Sequence, residues 1–275
     1  MSVSFDKYPN IHVDADGYLK GAGGLSWFPS DDAKVTVALY ENVVVSLVRQ
    51  MARWYTGHWI LSEIKLAREK KVVIMPPEFA PDRFFDSPFN VPGFNPRTTR
   101  NSTTGLEDED DYRYATKPGT QWNPKNGCQP PEYVKQKDLA LGGGADTIIS
   151  FDPALAWNYG PGGAPDEVLL HELVHAMRFV RGQASRCRFD TPKGYAGDYE
   201  EFVAVVLANV YISETNRTLR RDHDAYVPLP AGLSTSQAFY AQYRGQLANL
   251  KGEHPQLYNA LKQATGIRFN PFTLI

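Results

Sequence analysis

Residues 165–181 constrain this chain more than any other segment. They read Pro-Asp-Glu-Val-Leu-Leu-His-Glu-Leu-Val-His-Ala-Met-Arg-Phe-Val-Arg. Pro165 suits a first helical turn, where its missing N–H would have no intrahelical partner. Asp166 and Glu167 complement the positive end of the helix dipole, and Gly182 is a natural stop. Between these signals the segment is apolar nearly all round, which predicts a buried helix. Polar groups buried without partners cost several kcal/mol, so two histidines and a glutamate in such a helix need a reason. His171 and His175 are four residues apart and share one face. Both imidazoles can then bind one tetrahedral Zn²⁺ at about 2.0–2.1 Å. Glu172 points elsewhere on the helix and can reach an attacking water without binding the metal. This is the HExxH arrangement of metalloproteases. The plainer reading, two satisfied core histidines, fits the apolar flanks less well.

A third ligand is needed. Arg181 stands where a metzincin would carry histidine, and the first downstream aspartate is Asp190. The remaining source is a second largely apolar helix over 198–211, which opens with Glu200 and Glu201. Gluzincin ligands often show Glu, two residues, then Ala, and Glu201-Phe202-Val203-Ala204 fits, so Glu201 is preferred and Glu200 is the alternative. Glu200 would then favour the helix N-terminus, and its removal should cost at most about 1 kcal/mol. Ala204 and Val205 stand four residues after the two glutamates, so a carboxylate supporting a zinc histidine must come from elsewhere. Tyr195 is a candidate to stabilise the oxyanion, and Arg220 to pair with a carboxylate near the site.

The rest of the chain reads as α+β. Residues 1–34 show little periodicity. Alternation suggests a short strand at 34–39. Helical spacing follows over 41–54 and again over 58–70, and 72–75 reads as a buried strand. Residues 76–144 hold ten of the 20 prolines and an acid run at 107–111. They read as a long insertion in a single domain spanning 1–275. A strand at 146–151 precedes the motif helix and is the expected sheet edge, along which an extended substrate could pair.

The 275 residues carry a net charge of -2, which argues against a nucleic-acid partner. No apolar run reaches the roughly 20 residues of a membrane span, and the N-terminus lacks a Sec-type signal pattern. Cys128 and Cys187 lack CxxC spacing and read as free thiols in a reducing compartment.

Several blocks resemble the NleD-like zinc metallopeptidase effectors of bacterial secretion systems. These are the HELVHAMR block from His171 with Gly182, then 200–205, 209–211 and 219–223. The segment Thr56-Gly57-His58 with Ile60 and Leu61, and the strand at 72–75, are also similar. The resemblance covers about 41–75 and 145–227, leaving the insertion and the tail from 228 outside. It implies a zincin-like fold: an active-site helix, a small sheet with an edge strand, and a following ligand helix. It also implies an endopeptidase delivered by a secretion apparatus and cleaving a protein inside a target cell. His223, in the last block, becomes a second candidate for the oxyanion. Two other functions compete, a housekeeping intracellular metallopeptidase and a non-catalytic zinc-stabilised binding module. Glu172 argues against the module, because a structural zinc site needs no base and normally has four protein ligands.

Overall fold

A computed structural model describes residues 3–15, 33–76, 96–99, 113–121, 133, 135–151, 153, 164–185, 198–221 and 227–275. The architecture is α+β. Five strands form one sheet: β1 (Val3–Phe5), β2 (Tyr8–Val13), β3 (Val72–Met75), β4 (Pro96–Thr99) and β5 (Asp146–Ser150), in the order β1-β2-β3-β5-β4. β2, β3 and β5 run parallel, and β1 and β4 close the two ends antiparallel.

β5 is therefore an inner strand, paired with β3 through Thr147 to Ser150 and with β4 through Asp146 to Ile149. The expectation that it forms the sheet edge is wrong. Ile148 and Ile149 are both buried, as a strand with neighbours on both sides requires. The outer position belongs to β4, which packs beside the motif helix.

The helices are α1 (Ala33–Met51), α2 (Tyr55–Leu66), α3 (Pro165–Val180), α4 (Tyr199–Glu214), α5 (Ser236–Glu253) and α6 (Pro255–Gln263). The strand expected at 34–39 is instead the start of α1. Val37 is buried and Leu39 is 40% exposed, so the apparent alternation does not match the burial. The core stripe is Val37, Tyr40, Val44, Val48 and Met51, at helical spacing. The Tyr40 hydroxyl donates to the Phe151 carbonyl at 3.0 Å and ties α1 to the end of β5. At the α1–α2 corner a Cβ on Gly57 would lie 2.3 Å from the Met51 carbonyl oxygen, so only glycine fits.

α3 runs through the middle of the molecule, and all of its residues are buried. It packs against α1, α2, α4, β4 and β5. Its C-terminus is pinned by Gly182 in the left-handed region, at φ 62°. A side chain there would strike the backbone of Gly143, Gly144 and Tyr114. α4 starts at Asp198, whose carboxylate accepts from the Glu201 N–H at 3.0 Å. The helix cap is thus Asp198, not Glu200. At the other end of α4, Glu214 accepts from the Tyr55 and Thr56 N–H groups at 2.7 and 2.8 Å and so caps α2.

The tail from 228, for which no element was expected, contributes α5 and α6. Phe239, Tyr243, Leu247 and Leu250 line the buried side of α5. Phe239 stacks on Phe202 of α4 with ring centroids 6.2 Å apart.

Candidate metal centre

α3 and α4 bring three donor atoms together. The His171 and His175 Nε2 atoms are 3.1 Å apart. Glu201 Oε2 lies 3.3 Å from the first and 3.4 Å from the second. A tetrahedral ion with ligands at about 2.0–2.1 Å holds those ligands about 3.3–3.4 Å from one another. The triangle therefore has the dimensions of three corners of a zinc tetrahedron. The donor set, two imidazoles and a carboxylate, is the one zinc takes in hydrolytic sites. Both histidines are buried, whereas the Glu201 side chain keeps 25% of its exposure, so the fourth corner has a route to solvent.

The electrostatics suit a cation. Burial opposes ionisation of Glu201, but the facing His175 and His171 outweigh it and hold the carboxyl well below its ordinary range. Burial works against a charged His175, yet Glu201 and Glu200 raise its pKa well above the ordinary histidine value. The pocket thus draws positive charge toward its imidazoles.

Glu172 is buried beside this triangle. Its Oε2 has no hydrogen-bond partner among the described residues. Burial raises its pKa well above the usual carboxylate range, the charge on His175 lowers it, and Glu201 raises it further. Beside the donor triangle, that oxygen keeps a lone pair open to a proton, as a general base needs.

Glu200 points away from the triangle. Its Oε1 is 3.4 Å from His175 Nδ1, and its Oε2 accepts from Arg178 Nε at 2.8 Å and from the Ser185 N–H at 2.9 Å. The expectation that Glu200 merely favours the helix end is wrong, since this carboxylate is buried and held by three groups. It also has the position of the histidine-supporting carboxylate that had to come from elsewhere, and it stands next to the candidate ligand Glu201. The signal for it was Arg178, a cation placed among apolar residues that must find buried anions.

Arg220 N and O are held by the Asn209 side chain, each at 2.7 Å, and its guanidinium lies 3.8 Å from Glu167. It pairs with a carboxylate at the far end of α3, away from the candidate ligands. Tyr195, His223, Cys128, Cys187 and most of 76–112 lie outside the described residues.

Residues 94–229 match the sequence model of the Peptidase_M91 family, described as effector protein. That span takes in 94–144, placed outside the resemblance above, and leaves out 41–75, placed inside it. No curated protein and no solved structure matches the chain.

Proposed function

Starting from a chain whose residues 94–229 belong to the Peptidase_M91 effector family of NleD-type proteases, we propose that it is a zinc-dependent endopeptidase. It would be delivered by a bacterial secretion apparatus and would hydrolyse a protein inside a target cell. The observation that carries this reading is the donor triangle of His171, His175 and Glu201 with Glu172 at its side.

His171, His175 and Glu201 would hold the zinc ion, which when bound would supply an acidified water and a Lewis acid for the scissile carbonyl. His171 and His175 would offer Nε2, which would leave Nδ1 of His175, 3.4 Å from Glu200 Oε1, to carry its proton toward that carboxylate. Glu172 takes the proton of the attacking water on its free oxygen and returns it to the leaving amine. Burial is the chief reason that the Glu172 pKa lies well above the ordinary carboxylate range, the direction that suits a group that must also carry the proton. Tyr195 and His223 remain the candidates for the oxyanion. An extended substrate would pair along the outer strand β4, beside α3. Among the described residues no helix is long and apolar enough to cross a membrane.

The test is metal content and cleavage together. The purified protein should hold about one zinc per chain, and His171→Ala should lose it. Glu172→Gln should keep the zinc and lose cleavage of target-cell proteins by about two to four orders of magnitude, scored by mass spectrometry of new termini. A wild-type protein that holds no zinc after careful preparation sinks the proposal.

A further inference from the structure

The ionic chain behind His175 does not stop at Glu200. Arg178 has no solvent exposure and bridges two carboxylates. Its Nε donates to Glu200 at 2.8 Å and its Nη1 to Glu253 at 2.7 Å. The remaining nitrogen, Nη2, donates to the Gln183 carbonyl at 2.7 Å. The guanidinium is thereby held in one plane by groups from α4, α5 and the turn after α3. Glu253, the last residue of α5, also accepts from Lys117 at 2.9 Å, and the Tyr199 hydroxyl lies 3.4 Å away. Two cations face two anions, and at Glu253 Arg178 and Lys117 outweigh burial and hold the carboxyl below its ordinary range.

The geometry points to Glu253 as a positioning residue for the metal centre, acting through Arg178 and Glu200 on the ring of His175. Resting on the zinc reading above, this extends the site's support beyond the family match, which ends at residue 229. The physical route is short. Without Glu253, Arg178 has one buried anion left and turns toward it. Glu200 then shares its charge differently between Arg178 and His175 Nδ1. Outer carboxylates of this kind fix the orientation of a ligating imidazole and raise its basicity. Lys117 supports the far end from a segment that also docks on the turn after α3, through the Lys117 N–H bond to Ala184.

A double-mutant cycle on the metal-free full chain tests this, with zinc alone as the ligand and its affinity read by competition with a chromogenic chelator. Far-UV circular dichroism checks the fold of each variant. Glu200→Ala should raise the zinc Kd by about 10–100-fold, and Glu253→Gln by up to about tenfold. In the Glu200→Ala background Glu253→Gln should add nothing, because its path to His175 is already cut. Asp166→Asn, at a buried carboxylate near the N-terminal end of α3 whose bonds run to Arg217 and Tyr211 rather than to Arg178, should lower the melting temperature and leave the zinc Kd unchanged. Should Glu253→Gln not fold, Glu253→Asp runs the same cycle with the charge kept and its bond to Arg178 lengthened. An unchanged Kd, or the same fold-change in both backgrounds, overturns the coupling while the zinc reading stands. A wild-type chain that binds no zinc overturns both.

Discussion

Two buried ionic clusters flank α3, and they handle equal charge differently. Near its C-terminal end, Arg178 and Lys117 face Glu200 and Glu253. Near its N-terminus, Arg217 and Arg220 face Asp166 and Glu167. In the first cluster both carboxylates accept well-directed hydrogen bonds, and both stay below their ordinary pKa. In the second only Asp166 does. It accepts two bonds from Arg217, at 2.9 and 2.6 Å, and one from the Tyr211 hydroxyl at 2.6 Å. Glu167 has cations nearby, but its carboxylate oxygens accept no hydrogen bond among the described residues. Burial pushes its pKa up to about 7, against the pull of Arg217 and Arg220. The comparison shows that matching the number of charges is not enough. A buried carboxylate stays ionised when donors aim at its lone pairs.

The largest effect should come from Arg178→Met. It strands Glu200 and Glu253 together in the interior, and breaking a buried pair from one side costs about 3–5 kcal/mol. Urea unfolding of the metal-free protein measures it, and a loss below about 1 kcal/mol would mean that the first cluster contributes little to holding the fold.

Arg217→Met should cost less, about 1–3 kcal/mol, because the Arg217 side chain keeps 28% of its exposure and Tyr211 still donates to Asp166. A loss equal to that of Arg178→Met would erase the distinction between the clusters.

The smallest effect carries the opposite sign. A carboxyl raised from about 4.3 in the unfolded chain to about 7 in the fold favours folding while protonated. That advantage is full below about pH 4.3 and is lost as pH rises through about 7. Glu167→Gln removes the titration. It should match wild type at pH 4 and exceed it at pH 8, by at most the roughly 3–4 kcal/mol that linkage allows and by about 1–2 kcal/mol once relaxation and water penetration around the carboxyl are counted, read from melting curves at both values. For Asp166, held low by Arg217 and Tyr211 against burial, stability runs the other way and falls as pH drops through its folded pKa. A Glu167→Gln protein less stable than wild type at pH 8 would show that its charge is satisfied after all.

The parts of the site that could be read in advance are those with local geometry. His171 and His175 are one turn apart, and any helix places them on one face. Glu200 and Glu201 are about 100° apart on α4, so one of them alone could meet the histidines, and the structure turns Glu201 to them. The support behind His175 was less accessible. Arg178 announced the need for buried anions, but that Glu253 is one of them follows only from the docking of α5. The same limit explains β2. Asn10 is buried in that strand because its side-chain amide donates to the Ile64 and Ala67 carbonyls at the end of α2. A polar residue facing inward breaks the alternation by which strands are recognised. In α1 two periodicities overlapped at 34–39, and the packing of Tyr40 and Val44 decided for the helix.

The bond between Arg178 and Glu253 spans 75 residues of chain. A ribosome adding about 5–20 residues per second needs about 4–15 s to travel from one to the other. Once Glu201 has been added, the three candidate ligands exist, and so does the guanidinium behind them, but for the rest of that time the anion that finishes its plane does not. The floor under His175 is thus laid last, when the nascent chain has delivered the whole of α5.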